Sequence, residues 1–496
     1  MIVEINAHSE LPNGWVQANL GDVVKIRNGF AFKSTDYLED GVLLIRQTNL
    51  RYKTINLEGA VYLPKDYAHK YKDFIVANGD ILVGMSGSIG SLCVYDLDTP
   101  ALQNQRTGLM IFYNPEVKSY VRYFFETLKE YLINMAKGVA VQNVSALEIE
   151  SCSMPLPPLP EQHRIVSKIE ELFTKLDAGV DALKKVKDEL KHYRQSVLKH
   201  AFEGKLTAGW REANKGQIEP ASVLLERMKE ERKKALGGKY KELPTVDISD
   251  LPELPEGWAW TRIGDISEII RGASPRPAGD PKYFGGDIPW ITVGEITKDS
   301  KMHLASVSNF VTKAGMEKSR YIESGTFLLT NSGATLGVPK ITLISGCIND
   351  GSVAMLGLDE TLKKYLYYFL TSKTASLRRI NQGAAQPNLN TTIVSKIEFP
   401  LPPTDEQTVV VKEIEQHFSL GDKIEIDIEN SIKQSQRLRQ SILKKAFEGK
   451  LVPQDPTDEP AEKLLERIKV EQEKRANESK WTKKITKKGR KKKGAV

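Results

Sequence analysis

Two stretches of the chain carry apolar residues at spacings of three and four, with charged residues between them. In the first, Ile165, Ile169, Leu172, Leu176, Val180, Leu183, Val186, Leu190, Tyr193 and Val197 fall on one narrow line of a helix. In the second, Val410, Ile414, Phe418, Ile424, Ile428, Ile432, Leu438 and Ile442 do so, with a less regular middle. A seam this narrow is the pattern of a coiled coil. A helix of about 40 residues is roughly 60 Å long, and alone it would leave its seam in water. The most economical cover is the other copy, packed antiparallel; the alternative is that each helix packs only on the block preceding it. Pro160 suits a first helical turn, and Thr404 with Gln407 has the spacing of a capping box. Gly204 and Gly449, each just after Ala–Phe–Glu, are placed to end the helices as C′ residues.

The texture before each helix is different. Residues from about 11 to 154 and from 254 to 399 are rich in glycine, aromatic residues and short apolar runs. Ile81–Val83, Phe327–Leu329 and Ile291–Val293 read as strands bounded by glycine turns. Tyr120–Met135 and Leu362–Ile380 read as helices following them. Each block is therefore expected to be a mixed α/β domain. Gly209 to Pro252, with a charged helix-like stretch from Glu219 to Lys234, reads as a connector.

The two halves repeat one another. Tyr193–Leu206 (YRQSVLKHAFEGKL) and Leu438–Leu451 (LRQSILKKAFEGKL) are identical at eleven of fourteen positions, at an offset of 245. Leu11–Pro12–Asn13–Gly14–Trp15 returns as Leu254–Pro255–Glu256–Gly257–Trp258, and Gly21–Asp22 as Gly264–Asp265. Pro155–Leu156–Pro157–Pro158 with Glu161–Gln162 returns as Pro400–Leu401–Pro402–Pro403 with Glu406–Gln407. Glu219–Pro220–Ala221 returns as Glu459–Pro460–Ala461. So long a period implies two complete globular units, not a solenoid of short repeats, and suggests a pseudo-two-fold object that meets bipartite partners.

Composition narrows the class. The 496 residues hold 71 basic and 64 acidic side chains. Nine of the basic ones, and no acidic one, lie between Lys480 and Lys493, leaving 62 against 64 in the body. Such a tail is expected to be disordered and solvated, with a capacity for sequence-independent phosphate attraction. Cys93, Cys152 and Cys347 lack metal-ligand spacing, which fits a reducing cytoplasm. The sequence contains no apolar run of membrane-span length and no secretory leader pattern at its start.

No phosphate-cradling GxxxxGK[ST] loop, helix-opening GxGxxG, HExxH, paired CxxC or Asp/Asn–Pro–Pro–aromatic motif of amino-methyltransferases is present. Gly84–Met85–Ser86–Gly87–Ser88 only superficially suggests a nucleophile elbow, since its last position is not glycine. The chain reads as a binding protein, not an enzyme.

The opening Leu–Pro–x–Gly–Trp turns, the Pro–Leu–Pro–Pro…Glu–Gln steps and the helices ending Ala–Phe–Glu–Gly–Lys–Leu, in this order and twice over, resemble the specificity subunits of type I restriction–modification systems. The resemblance covers nearly the whole chain. It implies an α+β fold: two mixed α/β target-recognition domains separated by two long helices packed as an antiparallel coiled coil. The expected boundaries are residues 1–154 and 254–399 for the domains, 155–206 and 400–451 for the spacer helices, 207–253 for the connector and 452–496 for a C-terminal helix and basic tail. It also implies that each domain reads one half of a split double-stranded DNA target. Two methyltransferase subunits would dock on the chain, with restriction/translocase subunits joining through them. Adenine would be the methylated base. S-adenosylmethionine and ATP would be used by those partners, with no cofactor or metal on this chain.

Reading bases takes Arg, Asn, Gln, Ser or Thr on loops, with Lys and Arg on phosphates. Candidates in the first domain are Lys33, Arg46, Gln47, Thr48, Asn49, Arg51, Ser86, Asn104, Gln105 and Arg106. In the second they are Arg271, Arg276, Thr292, Glu295, Asn331, Ser332, Asn349 and Asp350. A carboxylate such as Glu295 or Asp350 can accept from cytosine N4. Gln142–Asn143 and Gln386–Pro387–Asn388 sit before the proline steps in both copies, which suggests a structural or docking role. The competing reading is a coiled-coil adaptor bridging two protein partners.

Overall fold

The computed structural model describes residues 10–51, 54–136, 143–333, 335–380 and 389–493. Six helices frame it: α1 (Lys118–Ala136), α2 (Leu159–Phe202), α3 (Ala221–Leu236), α4 (Glu360–Ile380), α5 (Thr404–Phe447) and α6 (Ala461–Lys493). The chain divides into two compact units that do not follow the linear boundaries read from sequence. One comprises Met1–Leu183 with Asn430–Val496, the other Lys184–Glu429. Each long helix of 44 residues thus gives part of its length to each unit.

The globular part of the first unit is built on two four-stranded sheets. One has the order Val24–Asn28, Thr107–Phe112, Ile81–Gly84, Leu92–Val94, all antiparallel. The other has the order Val61–Leu63, Val42–Ile45, Ala101–Gln103, Ile75–Val76, and its two middle strands run parallel. The second unit repeats this plan. Its antiparallel sheet runs Glu268–Arg271, Ser352–Leu356, Phe327–Thr330, Pro339–Thr342, His303–Leu304, the last strand being added in parallel. Its other sheet runs Phe310–Val311, Phe284–Ile291, Gly346–Ile348, Arg320–Ile322, again with the middle pair parallel. The strand expected at Ile291–Val293 stops at Ile291. There the Thr292 hydroxyl accepts the N–H of Glu295 and opens the short helix Val293–Thr297, an N-cap position that threonine favours.

Each long helix is tied to the block before it by the repeated motifs. Pro12–Trp15 and Pro255–Trp258 are tight turns whose third residues, Gly14 and Gly257, have φ of 77° and 87°, a conformation that costs glycine little. The turns deliver Trp15 and Trp258, whose indole N–H groups donate to Glu161 Oε2 at 2.9 Å and Glu406 Oε2 at 2.8 Å. Gln162 and Gln407 donate to the carbonyls of Pro157 and Pro402, both at 2.9 Å. The buried phenols of Tyr120 and Tyr365 donate to the carbonyls of Pro155 and Pro400 at 2.8 and 2.6 Å. The proline steps are also strands, Ser153–Leu156 and Glu398–Leu401, paired antiparallel with Val16–Asn19 and Ala259–Arg262. Thr404 is the first residue of α5 instead of its cap, because Gln407 is engaged by the Pro402 carbonyl.

Each block is closed by the end of the other long helix. In the first unit Phe447 of α5 sets its ring edge-on to Tyr120 and Phe124 of α1, 5.4 and 5.2 Å between centroids. In the second, Phe202 of α2 does the same with Tyr365 and Phe369 of α4, at 5.4 and 5.3 Å. Both helices then end as expected, with Gly204 and Gly449 at φ 68°. Helix α6 starts with the Ala461 N–H on Gly14 O at 2.9 Å, and α3 with the Ala221 N–H on Gly257 O at 2.8 Å. The segment expected to be a mere connector is therefore packed: Ala221 and Leu225 belong to the second unit's core. The backbone of α6 is helical to Lys493, so the basic run continues a helix that was expected to end in a disordered tail; lysine has a good helix propensity.

Helix pairing is antiparallel in both units. Asp177 pairs with Arg439, whose guanidinium lies 3.9 Å from the Phe173 ring centroid. Lys187 pairs with Glu425 and Glu429 at 3.3 and 2.7 Å, and Arg194 with Asp422 and Glu425 at 2.6 and 3.1 Å. Numbers rise along one helix as they fall along the other. The apolar seam itself is less continuous than its spacing suggests: Val186, Tyr193 and Leu438 are 41, 37 and 48% exposed. A single partner helix covers too little of each to bury them, and charged side chains span the gap. Exposed ion pairs contribute at most about 1 kcal/mol each. They fix direction and register, while the apolar plugs at the helix ends supply most of the cohesion.

The two latches differ in charge balance. Glu406 also meets Arg211 Nη2 at 2.6 Å and the Thr207 hydroxyl at 2.6 Å. Glu161 has the Trp15 N–H but no partner for Oε1 among the described residues. Burial raises the Glu161 pKa above the ordinary carboxylate value, against the pull of the Trp15 N–H and Arg164. The folded state then holds a proton on Glu161 at pH values where the unfolded chain has lost it. The stability from this group therefore falls as pH rises from the ordinary carboxylate range through the raised native value. Glu161→Gln is expected to leave stability unchanged or increased at neutral pH and to flatten that slope. Glu406→Gln, which strands Arg211, is expected to cost about 3 kcal/mol; urea titrations at several pH values measure both.

A Cβ at Gly449 would lie 2.4 Å from Pro12 Cγ, whereas at Gly216 (φ 79°) it would meet nothing. Gly216→Ala is expected to cost about 1 kcal/mol from backbone strain alone, and Gly449→Ala clearly more, read as the shift in denaturation midpoint.

Candidate nucleic-acid interface

In both units the loops leaving one end of the sheets converge. Strands Val42–Ile45 and Ala101–Gln103 are parallel neighbours, so the chain leaves both at the same end. The N–H of Asn104 donates to Ile45 O at 2.9 Å, which sets the loop at 104–106 beside the one at 46–49. Gly29 and Phe30, following Val24–Asn28, join them through Gly29 N–H to Thr107 O and Phe30 N–H to Gln103 O, at 3.3 and 2.9 Å. The turn after Ile81–Gly84 completes the group, with Met85 N–H to Arg106 O at 3.3 Å. In the second unit Asn349 N–H donates to Ile291 O, Gly272 N–H to Ser352 O, Ala273 N–H to Ile348 O and Asn331 N–H to Gly351 O, at 2.9 to 3.1 Å. Position for position, the frame is the same.

Glycine is needed where these loops touch. A Cβ at Gly29 would lie 2.2 Å from Asn104 O, and one at Gly272 would lie 2.0 Å from Asn349 O. These positions were not among the sequence candidates. Their signal was a glycine shortly after a strand in both copies, which alternation of polar and apolar residues does not register.

The candidates fall into three groups. Thr48, Gln105 and Arg106 are exposed at the convergence, with Gln47 and Ser86 half-buried beside them. Gln47 lies against Gly87, and its backbone carbonyl accepts from the Ser88 hydroxyl at 3.4 Å. A second group holds the loops in shape. Asn49 is fully buried, accepting from Arg46 N–H and donating to Asn56 O, both at 2.9 Å. Asn104 is buried beneath Arg106, and Arg46 donates to Gly59 O at 2.7 Å. Glu295 is buried, taking Ser308 N–H at 2.6 Å and Lys298 Nζ at 3.0 Å, which together hold its carboxyl below the ordinary value despite the opposing effect of burial. Lys33 and Arg51 are exposed, Arg51 pairing with Glu58 at 3.6 Å.

The second unit's cluster is charge-compensated. Asp350 accepts from the Ser274 hydroxyl at 2.5 Å and from Arg276 Nη2 at 3.4 Å, and its backbone carbonyl takes Arg271 Nε at 3.2 Å. Ser274 was missed from sequence, where nothing distinguishes it from any loop serine. Thr292 is committed to its N-cap, and Ser332 and Asn349 face Gly351 within 3.2 Å of where a Cβ would be. Asn331 is fully buried, and neither amide atom has a partner among the described residues. Asn143 bridges to Ser86, while Gln142 and Gln386–Asn388 lie outside the described residues. The described residues contain no cluster of His, Cys, Asp or Glu able to hold a metal ion and no helix long and apolar enough to cross a membrane.

Two repeated domains with polar loop clusters, each latched to a long helix, are the architecture to which the comparisons with known proteins give a family. The sequence pattern of the type I restriction modification DNA specificity domain matches residues 12–192 and again 255–434. The chain belongs to that family, as a type I restriction–modification specificity subunit. It is 28% identical over 491 residues to the EcoBI specificity subunit of Escherichia coli, covering 94% of each chain. It is 24% identical to the EcoKI specificity subunit of Escherichia coli K12, covering 93% of this chain and 96% of the relative. The fold matches the crystal structure of the HsdS subunit from Thermoanaerobacter tengcongensis with a TM-score of 0.53, at 18% identity, over 90% of this chain and 100% of the other. It also matches a chain from a structure of type I R-M complex assembly and conformational transition, with a TM-score of 0.61, at 18% identity, over 89% and 100%.

If Asn49 holds its loop while Arg106 is free to meet a ligand, the two separate in stability measurements. Asn49→Ala is expected to cost about 1–3 kcal/mol for stranded backbone groups, and Arg106→Ala less than about 0.5 kcal/mol. Urea denaturation of the two variants decides it.

Proposed function

We propose that the chain reads a split sequence in double-stranded DNA, one half-site with each loop cluster, and carries that choice to a modification and restriction complex. The observation that carries the reading is the contrast within the molecule. Backbone frame and latch residues repeat between halves, whereas the side chains at the loop ends do not: Gln105–Arg106 in one stand where Asp350–Gly351 stand in the other. A repeated frame with exchanged side chains is what reading two different base sequences requires.

Loop ends with Arg106, Gln47 and Thr48 offer donors suited to guanine or adenine edges, and Asp350 an acceptor suited to cytosine N4. The paired long helices set the unread gap, since about 34–36 Å separates sites one duplex turn apart and 44 helical residues span roughly 66 Å. Catalysis belongs to the partners in this reading. Methyltransferase subunits, expected to be two, bring S-adenosylmethionine, and restriction subunits joining through them use ATP. The adaptor alternative has no comparable use for two clusters of exposed base-compatible side chains.

The test is a map of methylated adenines in the source cell with the gene intact, deleted, or carrying Gln105→Ala with Arg106→Ala. Deletion is expected to erase one asymmetric split motif, and the double variant to relax or lose one half of it only. An unchanged map on deletion, or equal damage to both halves by the loop variant, would sink the proposal.

A further inference from the structure

One position of the shared frame holds very different side chains in the two units. Ile45 and Ile291 end corresponding strands, and their carbonyls accept the N–H groups of Asn104 and Asn349. The next residue is Arg46 in the first unit and Thr292 in the second. Arg46 fills its surroundings: its guanidinium lies 5.9 Å from the Tyr37 ring centroid and donates to Gly59 O at 2.7 Å. Thr292 is short, and its hydroxyl accepts the Glu295 N–H. Beside it is an open recess of about 500 Å³, a size common among sites for small molecules.

Aromatic rings wall this recess. Phe284 and Trp290 meet edge-on, 6.1 Å between centroids, and Phe310 adds a third ring that is 38% exposed. The strand itself makes the room. Phe284 and Ile288 both pair with Val311, so Gly285–Asp287 bulge out between them. The corresponding strand of the first unit, Val42–Ile45, pairs with Val61–Leu63 in unbroken register. A Cβ at Gly286 would lie 2.4 Å from Val311 O, which restricts that position to glycine. Bulges often lie next to functional sites, where they re-aim side chains. Thr292, Ser308 and Asn309 bring hydroxyl and amide groups to the lining, and no lining residue is ionisable. The Glu295 carboxylate nearby is already taken by the Ser308 N–H and by Lys298.

We infer that this recess receives a nucleobase turned out of the duplex beside the half-site read by the second unit. This rests on the DNA-specificity reading above and adds a second kind of contact to it. Every base has a face that stacks on aromatic side chains, whatever its identity, and the hydroxyl and amide groups suit its polar edge. A cationic side chain from a protein partner fits less well, because the lining offers it no carboxylate. The location also favours a base: Thr292 adjoins Ile291, whose carbonyl anchors the loop carrying Asn349 and Asp350. A base that is methylated must first leave the stack, which leaves its opposite unpaired and available to the recess. The first unit has no equivalent slot at this position, since Arg46 and Tyr37 occupy it.

The experiment uses the full chain co-purified with its methyltransferase subunits and a duplex carrying its methylated motif. Single mismatches are scanned through the second unit's half-site and its flanks, and affinity is followed by fluorescence anisotropy. The parent complex is expected to bind one mismatched duplex about tenfold more tightly than the matched one, because an unpaired base is less costly to unstack. Phe310→Ala is expected to lose that gain and Phe310→Tyr, which keeps a ring, to retain it. If at no position the gain depends on Phe310, the inference is overturned. It is also overturned if Phe310→Ala leaves all duplex affinities unchanged and releases the methyltransferase subunits, which assigns the recess to a protein contact. Failure of the specificity reading appears separately, as equal affinity of the parent complex for the motif and for a random-sequence duplex.

Discussion

Each half of this molecule is pinned by an acidic side chain buried in the first turn of a long helix, where a tryptophan from the start of the domain meets it. Glu161 and Glu406 sit there at 1 and 0% exposure, each receiving a tryptophan indole N–H from the turn that opens its domain. A carboxylate near a helix N-terminus is favoured by the helix dipole, but removing it from water is costly unless donors meet it. The tryptophan is that donor, and it comes from residues about 146 positions earlier in the chain. The bond therefore closes each domain on itself and fixes the angle at which the helix leaves it. Proline-step carbonyls taken by Gln162, Gln407, Tyr120 and Tyr365 lock the same corner from the other side.

The second constraint is exchange between the halves. A domain closed by its own latch still has an open apolar face, and in each unit that face is filled by the phenylalanine at the end of the other long helix. Neither half of the sequence completes a core by itself. This explains why the motif Ala–Phe–Glu–Gly is identical in the two copies: the phenylalanine fills a shared socket, and the glycine passes a proline of the opening turn with no room for a side chain. It also explains how the loop clusters can diverge. They lie at the ends of strands whose backbone bonds fix the loop positions, so side chains at their tips change without disturbing the core.

The repeat, the helix seams, the capping glycines and most strands were legible in the sequence because each is a local or periodic pattern. The loop clusters were legible only as polar residues after strands. Which of those residues face outward was not legible, since Asn49 and Thr48 are neighbours of similar polarity and only one is buried. Thr404 with Gln407 had the spacing of a capping box, yet a neighbouring demand won: the buried carbonyl of Pro402, five residues before Gln407, needed a donor. The continuous seam was over-read in the middle for a related reason, because periodicity records which residues share a face but not how much of that face a partner covers.

By itself the sequence determined that this is a doubled protein, that each half is a mixed α/β block followed by a long helix, and where those helices end. These follow from hydrophobic period, glycine conformational freedom and literal repetition, all of which act within a few residues or between aligned copies. Only the tertiary structure decided that each compact unit takes part of both long helices, that the motif residues form latches, and that loops far apart in sequence meet at one end of a parallel strand pair. Those outcomes depend on which buried donors and apolar faces find partners across the fold, and that is set by three-dimensional closure.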